Sequence, residues 1–133
     1  MKYLTAEQVL FIHARLIAET GGSHGVRDLA RLESAVSRPQ APFAGKKLYP
    51  DVFFKAAALL DSLINNHPFT DGNKRTGISA AALFLQANGW RLTASNADLE
   101  EFTLQVAVSH PDLPILAEWF QRQSSQLKRG RIA

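Results

Sequence analysis

The sequence predicts an all-α fold, a compact bundle of about six helices, on three observations. Apolar residues recur three and four apart over most of the 133 residues. Nearly every such segment starts beside a residue type that caps helices and stops at a Gly or before a Pro. No alternating apolar and polar run is long enough to build a sheet, although Arg91 to Thr93 has extended character.

The elements follow in order. Thr5 with Gln8 makes a capping-box signature, and Val9, Ile12, Leu16 and Ile17 then share one face until Gly21-Gly22 stops the first helix. Asp28 caps a short second helix carrying Leu29, Leu32, Ala35 and Val36, which ends before Pro39. Pro39, Pro42, Gly45 and Pro50 mark a surface loop. A Pro-free apolar segment from Asp51 to Asn66 makes the third helix, with Phe53, Phe54, Ala57, Leu60, Leu63 and Ile64 covering much of it. The fourth opens at Asn73, carries Ile78, Ala81, Ala82 and Leu85, and ends by Gly89. Alanine-rich faces let helices approach closely, so this pair is expected to form the buried spine. Asn96 is the expected cap of a fifth helix over Leu99, Phe102, Val106 and Val108; Pro111 separates it from a last helix with Leu116, Trp119 and Phe120.

Composition sets limits. The length and 46% hydrophobic content suit one domain, expected over residues 1–125, followed by a basic, flexible tail at 126–133. The net charge of +3 is modest and much of it sits in Lys128-Arg129-Gly130-Arg131; without a stripe of interleaved aromatic and basic residues, direct nucleic-acid binding is not expected. Absence of cysteine removes disulfides and thiolate metal sites. No apolar run reaches the roughly 18 residues that a membrane span needs. Glu7, His13 and Arg15 interrupt any signal-peptide pattern, so a cytoplasmic protein is expected.

The most informative stretch is His67-Pro68-Phe69-Thr70-Asp71-Gly72-Asn73-Lys74-Arg75-Thr76, which lies between the two central helices. A helix start presents unpaired backbone N–H groups and about half a positive charge, a natural seat for phosphate. His67 brings an imidazole, which exchanges a proton near neutral pH and could take one from an attacking hydroxyl. Asp71 is a hard oxygen ligand of the kind that holds Mg²⁺ together with nucleotide phosphates. Gly72 lets a phosphate approach the backbone closely, and Lys74 and Arg75 add cations. Phe69 reads as a structural anchor pinning the loop to the core. A plain helix connection needs neither the His, nor the Phe, nor two adjacent cations. The remaining histidines carry blander readings: His13 packs on its helix, His24 lies in a turn, and His110 marks a helix end.

These residues resemble the signature of the Fic/Doc superfamily, whose Fic branch reads H-P-F-x-x-G-N-G-R and whose Doc (death-on-curing) branch reads H-x-F-x-D-A-N-K-R. His67, Pro68, Phe69, Gly72, Asn73 and Arg75 fit the first form, while Asp71 and Lys74 fit the second. Gly21 to Asp28, Leu32-Glu33-Ser34-Ala35, Arg38-Pro39, Phe84-Leu85 and Asn88-Gly89 extend the likeness over residues 1–120. The resemblance implies ATP- and Mg²⁺-dependent modification of a protein hydroxyl: His67 as the base, Asp71 on the metal, and Gly72, Asn73, Lys74 and Arg75 cradling the nucleotide. Fic enzymes transfer AMP. Doc toxins, with Lys at the position of Lys74, transfer the γ-phosphoryl group to a Thr of elongation factor Tu and stop translation, which favours phosphorylation here; Gly72 keeps AMP transfer open.

The self-inhibiting pattern of many Fic proteins, S/T-x-x-x-E-G/N, is absent, since no Glu precedes Gly or Asn. The resemblance therefore implies a Phd-like antitoxin in trans, laid along an apolar groove to which Leu116, Trp119 and Phe120, or the face near Val9, are candidate contributors. A non-enzymatic helical binding module that kept the loop stands as the third reading.

Overall fold

The computed structural model describes residues 1–43, 46–47 and 49–127. The expected turn residue Gly45 and the basic run Lys128 to Arg131 lie outside the described residues. Six α-helices appear among them: α1 (Ala6–Thr20), α2 (Leu29–Ser37), α3 (Val52–Asn65), α4 (Asn73–Ala87), α5 (Asn96–Ser109) and α6 (Leu113–Arg122). Side chains start most of them. Thr5 and Gln8 form the reciprocal capping box of α1, Asp28 accepts from the Arg31 amide, and Asp51 accepts from the amides of Phe53 and Phe54. The cap of α5 is Ser95, whose hydroxyl accepts from the Asp98 amide; Asn96, the expected cap, is instead the first helical residue.

The expected loop between α2 and α3 has internal structure. A 3-10 turn over Arg38–Gln40 is followed by strand β1 (Pro42–Phe43), paired antiparallel with β2 (Lys46–Lys47). Arg38 ties this segment to α3: its guanidinium donates to the Asp61 carboxylate at 2.8 Å, to the Ser62 hydroxyl at 2.9 Å and to the Tyr49 hydroxyl at 2.9 Å. Burial works to lower the pKa of this group, and the bonds from Asp61 and Tyr49 more than offset it, holding it above its ordinary value. Lys55, buried on α3, donates to the Pro39 carbonyl at 2.8 Å and lies over the Tyr3 ring.

The extended character read at Arg91 is real and has a partner. Strand β3 (Trp90–Leu92) pairs antiparallel with β4 (Ser124–Gln126), two short strands that tie the end of α4 to the end of α6. Gln126, expected to open a flexible tail, is opposite Trp90, and the Leu127 amide donates to the Gly89 carbonyl.

Helix α3 is the axis of the bundle, packing against α4 and α6 and touching α2 and α5. Its residues are apolar almost all round, and Ala56 to Leu60 and Leu63 to Ile64 are buried in sequence, as befits a helix enclosed by others. Leu116, Phe120 and Val9, expected as contributors to an open groove, instead belong to this core with essentially no exposed surface. Leu116 and Phe120 lie on α6, which packs on α3, Val9 lies on α1, which packs on α4, and Trp119 stacks on Phe102 at 3.6 Å. Gly77 of α4 faces α3 with little room for a side chain. A Cβ there would sit 3.1 Å from the Ile64 side chain and 3.3 Å from that of Leu60. This contact holds the loop-bearing ends of the two helices together.

Gly77→Leu is therefore expected to overpack the junction and destabilise the fold by about 1–3 kcal/mol, read as a lowered urea midpoint at unchanged slope. A wild-type midpoint would show that the two helices have slack there.

Candidate active site

The segment between α3 and α4 is built around one buried ring. Helix α3 ends at Asn65 with Asn66 as its C-cap, and the next residue, His67, adopts the left-handed backbone conformation with φ +50°. That position after a helix commonly goes to Gly; a side chain there costs roughly 1–2 kcal/mol, and His is among the residues that accept it more readily. The chain then turns inward at Pro68 and Phe69, both buried, and outward again at Thr70 and Asp71, both exposed. The Phe69 ring lies parallel to the buried imidazole of His13 at 3.8 Å.

Backbone bonds from the connector between α1 and α2 grip this loop along its length. The amides of Arg27 and Asp28 donate to the Pro68 carbonyl at 2.8 and 3.0 Å, and the Thr70 amide donates to the Gly25 carbonyl at 3.0 Å. Val26 and Phe69 thus face each other as an isolated antiparallel bridge. Gly25 eases the approach, because a Cβ there would lie 2.7 Å from the Thr70 hydroxyl, which would have to turn away. The Ser23 amide donates to the Asp71 carboxylate at 2.8 Å, and Arg31 donates to the Asn66 carbonyl at 2.9 Å.

Helix α4 starts without a side-chain cap. Gly72, at φ +80°, occupies the capping position, and no side chain accepts from the first-turn amides of Asn73, Lys74 and Arg75. The Asn73 side-chain carboxamide is directed elsewhere: its Oδ1 accepts from the Phe69 N–H at 3.0 Å and its Nδ2 donates to the Phe69 carbonyl at 2.9 Å. It closes the loop on itself. Lys74 and Arg75 are exposed and form no ion pair among the described residues.

All of the polar residues singled out in the motif line one cavity of about 480 Å³: His67, Asp71, Gly72, Asn73, Lys74 and Arg75. Leu16 and Ile17 of α1 and Ala107 of α5 supply apolar wall. Phe69 is not in the lining and stands behind it, buried. The volume lies within the ~300–1,000 Å³ common for small-molecule sites. The donor set suits a nucleotide triphosphate: free amides at a helix start, two cations, a glycine approachable on its backbone, and an apolar side. Among the described residues no group of three His, Asp or Glu could cage a metal. A divalent ion here would rely on the Asp71 carboxylate, of which one oxygen is held by Ser23, and on phosphate oxygens.

Two contributors were not legible as such in sequence. His13 reads as a packed helical histidine, and it is packed, but onto the motif: its Nε2 lies 2.8 Å from the Asp71 carbonyl. Its spacing of four from both Val9 and Ile17 was the available signal that it faces inward. Asn73 reads as part of a phosphate cradle, whereas its side chain shapes the loop.

Fold and site together define a helical protein in which a loop-borne imidazole shares a cavity with an uncapped, cationic helix start. Residues 3–85 match the Fic/DOC family, and the chain belongs to that family. It is 46% identical over 118 residues to Toxin Doc of Mycolicibacterium smegmatis, a match spanning 87% of this chain and 88% of that protein. It is 30% identical over 122 residues to Protein kinase doc of Escherichia phage P1, spanning 92% and 95% respectively.

Removing the loop's internal brace gives a direct check of this geometry. Asn73→Ala should destabilise the protein by about 1–3 kcal/mol and strip hydrogen-exchange protection from the Phe69 amide. Retained protection would mean that ring burial alone holds the loop.

Proposed function

We propose that this chain is the toxin of a toxin–antitoxin pair and that it phosphorylates a Ser or Thr hydroxyl of a translation factor, elongation factor Tu, at the expense of ATP, with Mg²⁺ as cofactor. The observation that carries the reading is the start of α4: three backbone amides without a side-chain cap, flanked by two cations that form no ion pair among the described residues, in the same cavity as His67. An uncapped helix start leaves its first amides to water or to a ligand, and phosphate oxygens are acceptors well matched to that charge. The names of the two relatives, a toxin and a protein kinase, point the same way.

In this reading the target hydroxyl enters from the exposed side of the cavity and His67 accepts its proton. The oxygen forms a bond to the γ-phosphorus of ATP as the bond to the β,γ-bridging oxygen breaks; phosphoprotein and ADP result, and the proton leaves from the imidazole to solvent. Lys74, Arg75 and the amides of the first turn of α4 bind the phosphates and stabilise the charge that develops on the transferred group. Asp71 would hold Mg²⁺, which neutralises phosphate charge when bound. Asn73 and Phe69 keep the loop in shape. The exposure of His67 suits a base that must meet a macromolecular substrate. A separate antitoxin, Phd-like in kind, restrains the enzyme, and the groove it uses is not the buried set of Leu116, Phe120 and Val9. No helix of the described residues is long and apolar enough to cross a membrane, and the work is assigned to the cytoplasm, where translation factors are.

Purified protein incubated with a lysate and either α- or γ-labelled ATP should transfer label from the γ position alone. Label from the α position would make it an AMP-transferase, and label from neither would leave a binding module. His67→Ala should lower transfer by at least about a hundredfold with the fold intact by circular dichroism, and should abolish growth inhibition on expression. A lethal, fully active His67→Ala protein would remove the base assignment.

A further inference from the structure

Among the groups that the proposed reaction does not use, His13 is the one most deeply built into the site. It sits on α1 with 2% of its surface exposed, far in sequence from the loop, yet it makes two contacts with it. The ring stacks on Phe69 at an interplanar angle of 6°, and Nε2 is 2.8 Å from the Asp71 carbonyl oxygen. A carbonyl can only accept, so the proton of this bond must be on Nε2.

We infer that His13 is a positioning residue that locks the orientation of the Asp71–Gly72 peptide, and through it the start of α4. The peptide unit is planar and trans, so its C=O and N–H point in opposite directions. Holding the Asp71 oxygen toward α1 therefore fixes the direction of the Gly72 N–H. Gly72 makes the lock necessary. At φ +80° and ψ 18° it occupies a conformation in which a glycine pays no side-chain penalty, and the same freedom lets the preceding peptide plane rotate. Its neighbours leave little space on the α1 side: a Cβ at Gly72 would meet the Ile17 side chain at 3.2 Å and His13 Cδ2 at 3.6 Å. The bond also seats Asp71 itself. Its carbonyl is held by α1 and its carboxylate by the Ser23 amide, so the residue is fixed at both ends before any ligand arrives. The stack on Phe69 sets the imidazole plane so that Nε2 meets the carbonyl.

The catalytic consequence rests on the phosphoryl-transfer reading; the peptide lock does not, and the test separates them. His13→Phe keeps an aromatic ring on Phe69 and deletes the donor. His13→Gln deletes the ring and places an amide N–H at the same distance from the backbone. In His13→Phe the Gly72 amide resonance should shift or broaden strongly while that of Val26 stays in place, and kcat for γ-phosphoryl transfer should fall about tenfold or more with a smaller change in KM for ATP. His13→Gln should recover most of the loss in kcat and return the Gly72 resonance toward its original position. A Gly72 resonance unchanged in His13→Phe, or a loss in His13→Gln equal to that in His13→Phe, overturns the lock. The wild-type protein gives an independent readout that needs no variant: the His13 Nε2 proton should appear as a slowly exchanging signal, and an Nδ1-protonated ring would refute the inference. If the protein transfers no label at all, the resonances still decide whether the lock exists.

Discussion

The grip of the α1–α2 connector on the α3–α4 loop is the interaction on which the rest of the site depends. Three backbone bonds, from Arg27 and Asp28 to Pro68 and from Thr70 to Gly25, lay one irregular segment along another without making a sheet. Irregular backbone cannot satisfy its own N–H and C=O groups when it turns toward a core, so it must borrow partners. The two segments lend them to each other, and Phe69, swallowed between them, turns the pairing into a fixed position. Ser23, His13 and Arg31 then hold the residues on either side of the ring. The loop is therefore an extension of the α1–α3–α4 core, although its polar residues face outward.

Against that rigid setting the cavity stands out for the donors it leaves open to a ligand. Thr5, Asp28, Asp51 and Ser95 close four helix starts with a side-chain oxygen; α4, at Gly72, and α6, at Asp112, have no such bond, and of these two it is the α4 start that lines the cavity. His67 holds a left-handed conformation that most side chains avoid. Costs of this kind, each of order 1–3 kcal/mol, persist where the surroundings over-determine them, and they gather at sites that bind or react. Here the buried length of α3 and the close α3–α4 contact at Gly77 provide the excess. Under the proposed function, stability and chemistry fall to different residues: Phe69, Asn73 and Gly77 hold the loop, and His67, Lys74 and Arg75 meet the ligand.

How much of this could be read in the sequence depended on the range of the interaction. Caps act within three residues, so Thr5 and Asp28 were legible as caps, and Asp51 as the start of its segment. Ser95 and Asn96 are both capping residue types, and only backbone geometry chooses between such neighbours. The 3.6-residue period placed all six helices. The β3–β4 pair was half visible, since Ser124 to Gln126 has no alternation and becomes a strand only through Trp90 to Leu92. Burial of Leu116 and Phe120 follows from the packing of α6 on α3, and that of Val9 from the packing of α1 on α4, which their own helices do not reveal. The motif announced the cavity because its residues are consecutive. His13 and Gly25 did not announce themselves, being joined to that motif by contacts across more than forty residues of chain.

The account stands on the claim that the bare start of α4 receives phosphate. Titration of isotope-labelled protein with ATP and Mg²⁺, followed through its backbone amides, tests this most directly. Saturable shifts centred on Gly72, Asn73, Lys74 and Arg75, reproduced by ADP and not by adenosine, are the result expected. Saturable ATP binding that leaves those four amides unmoved, with shifts centred on another surface, would contradict it.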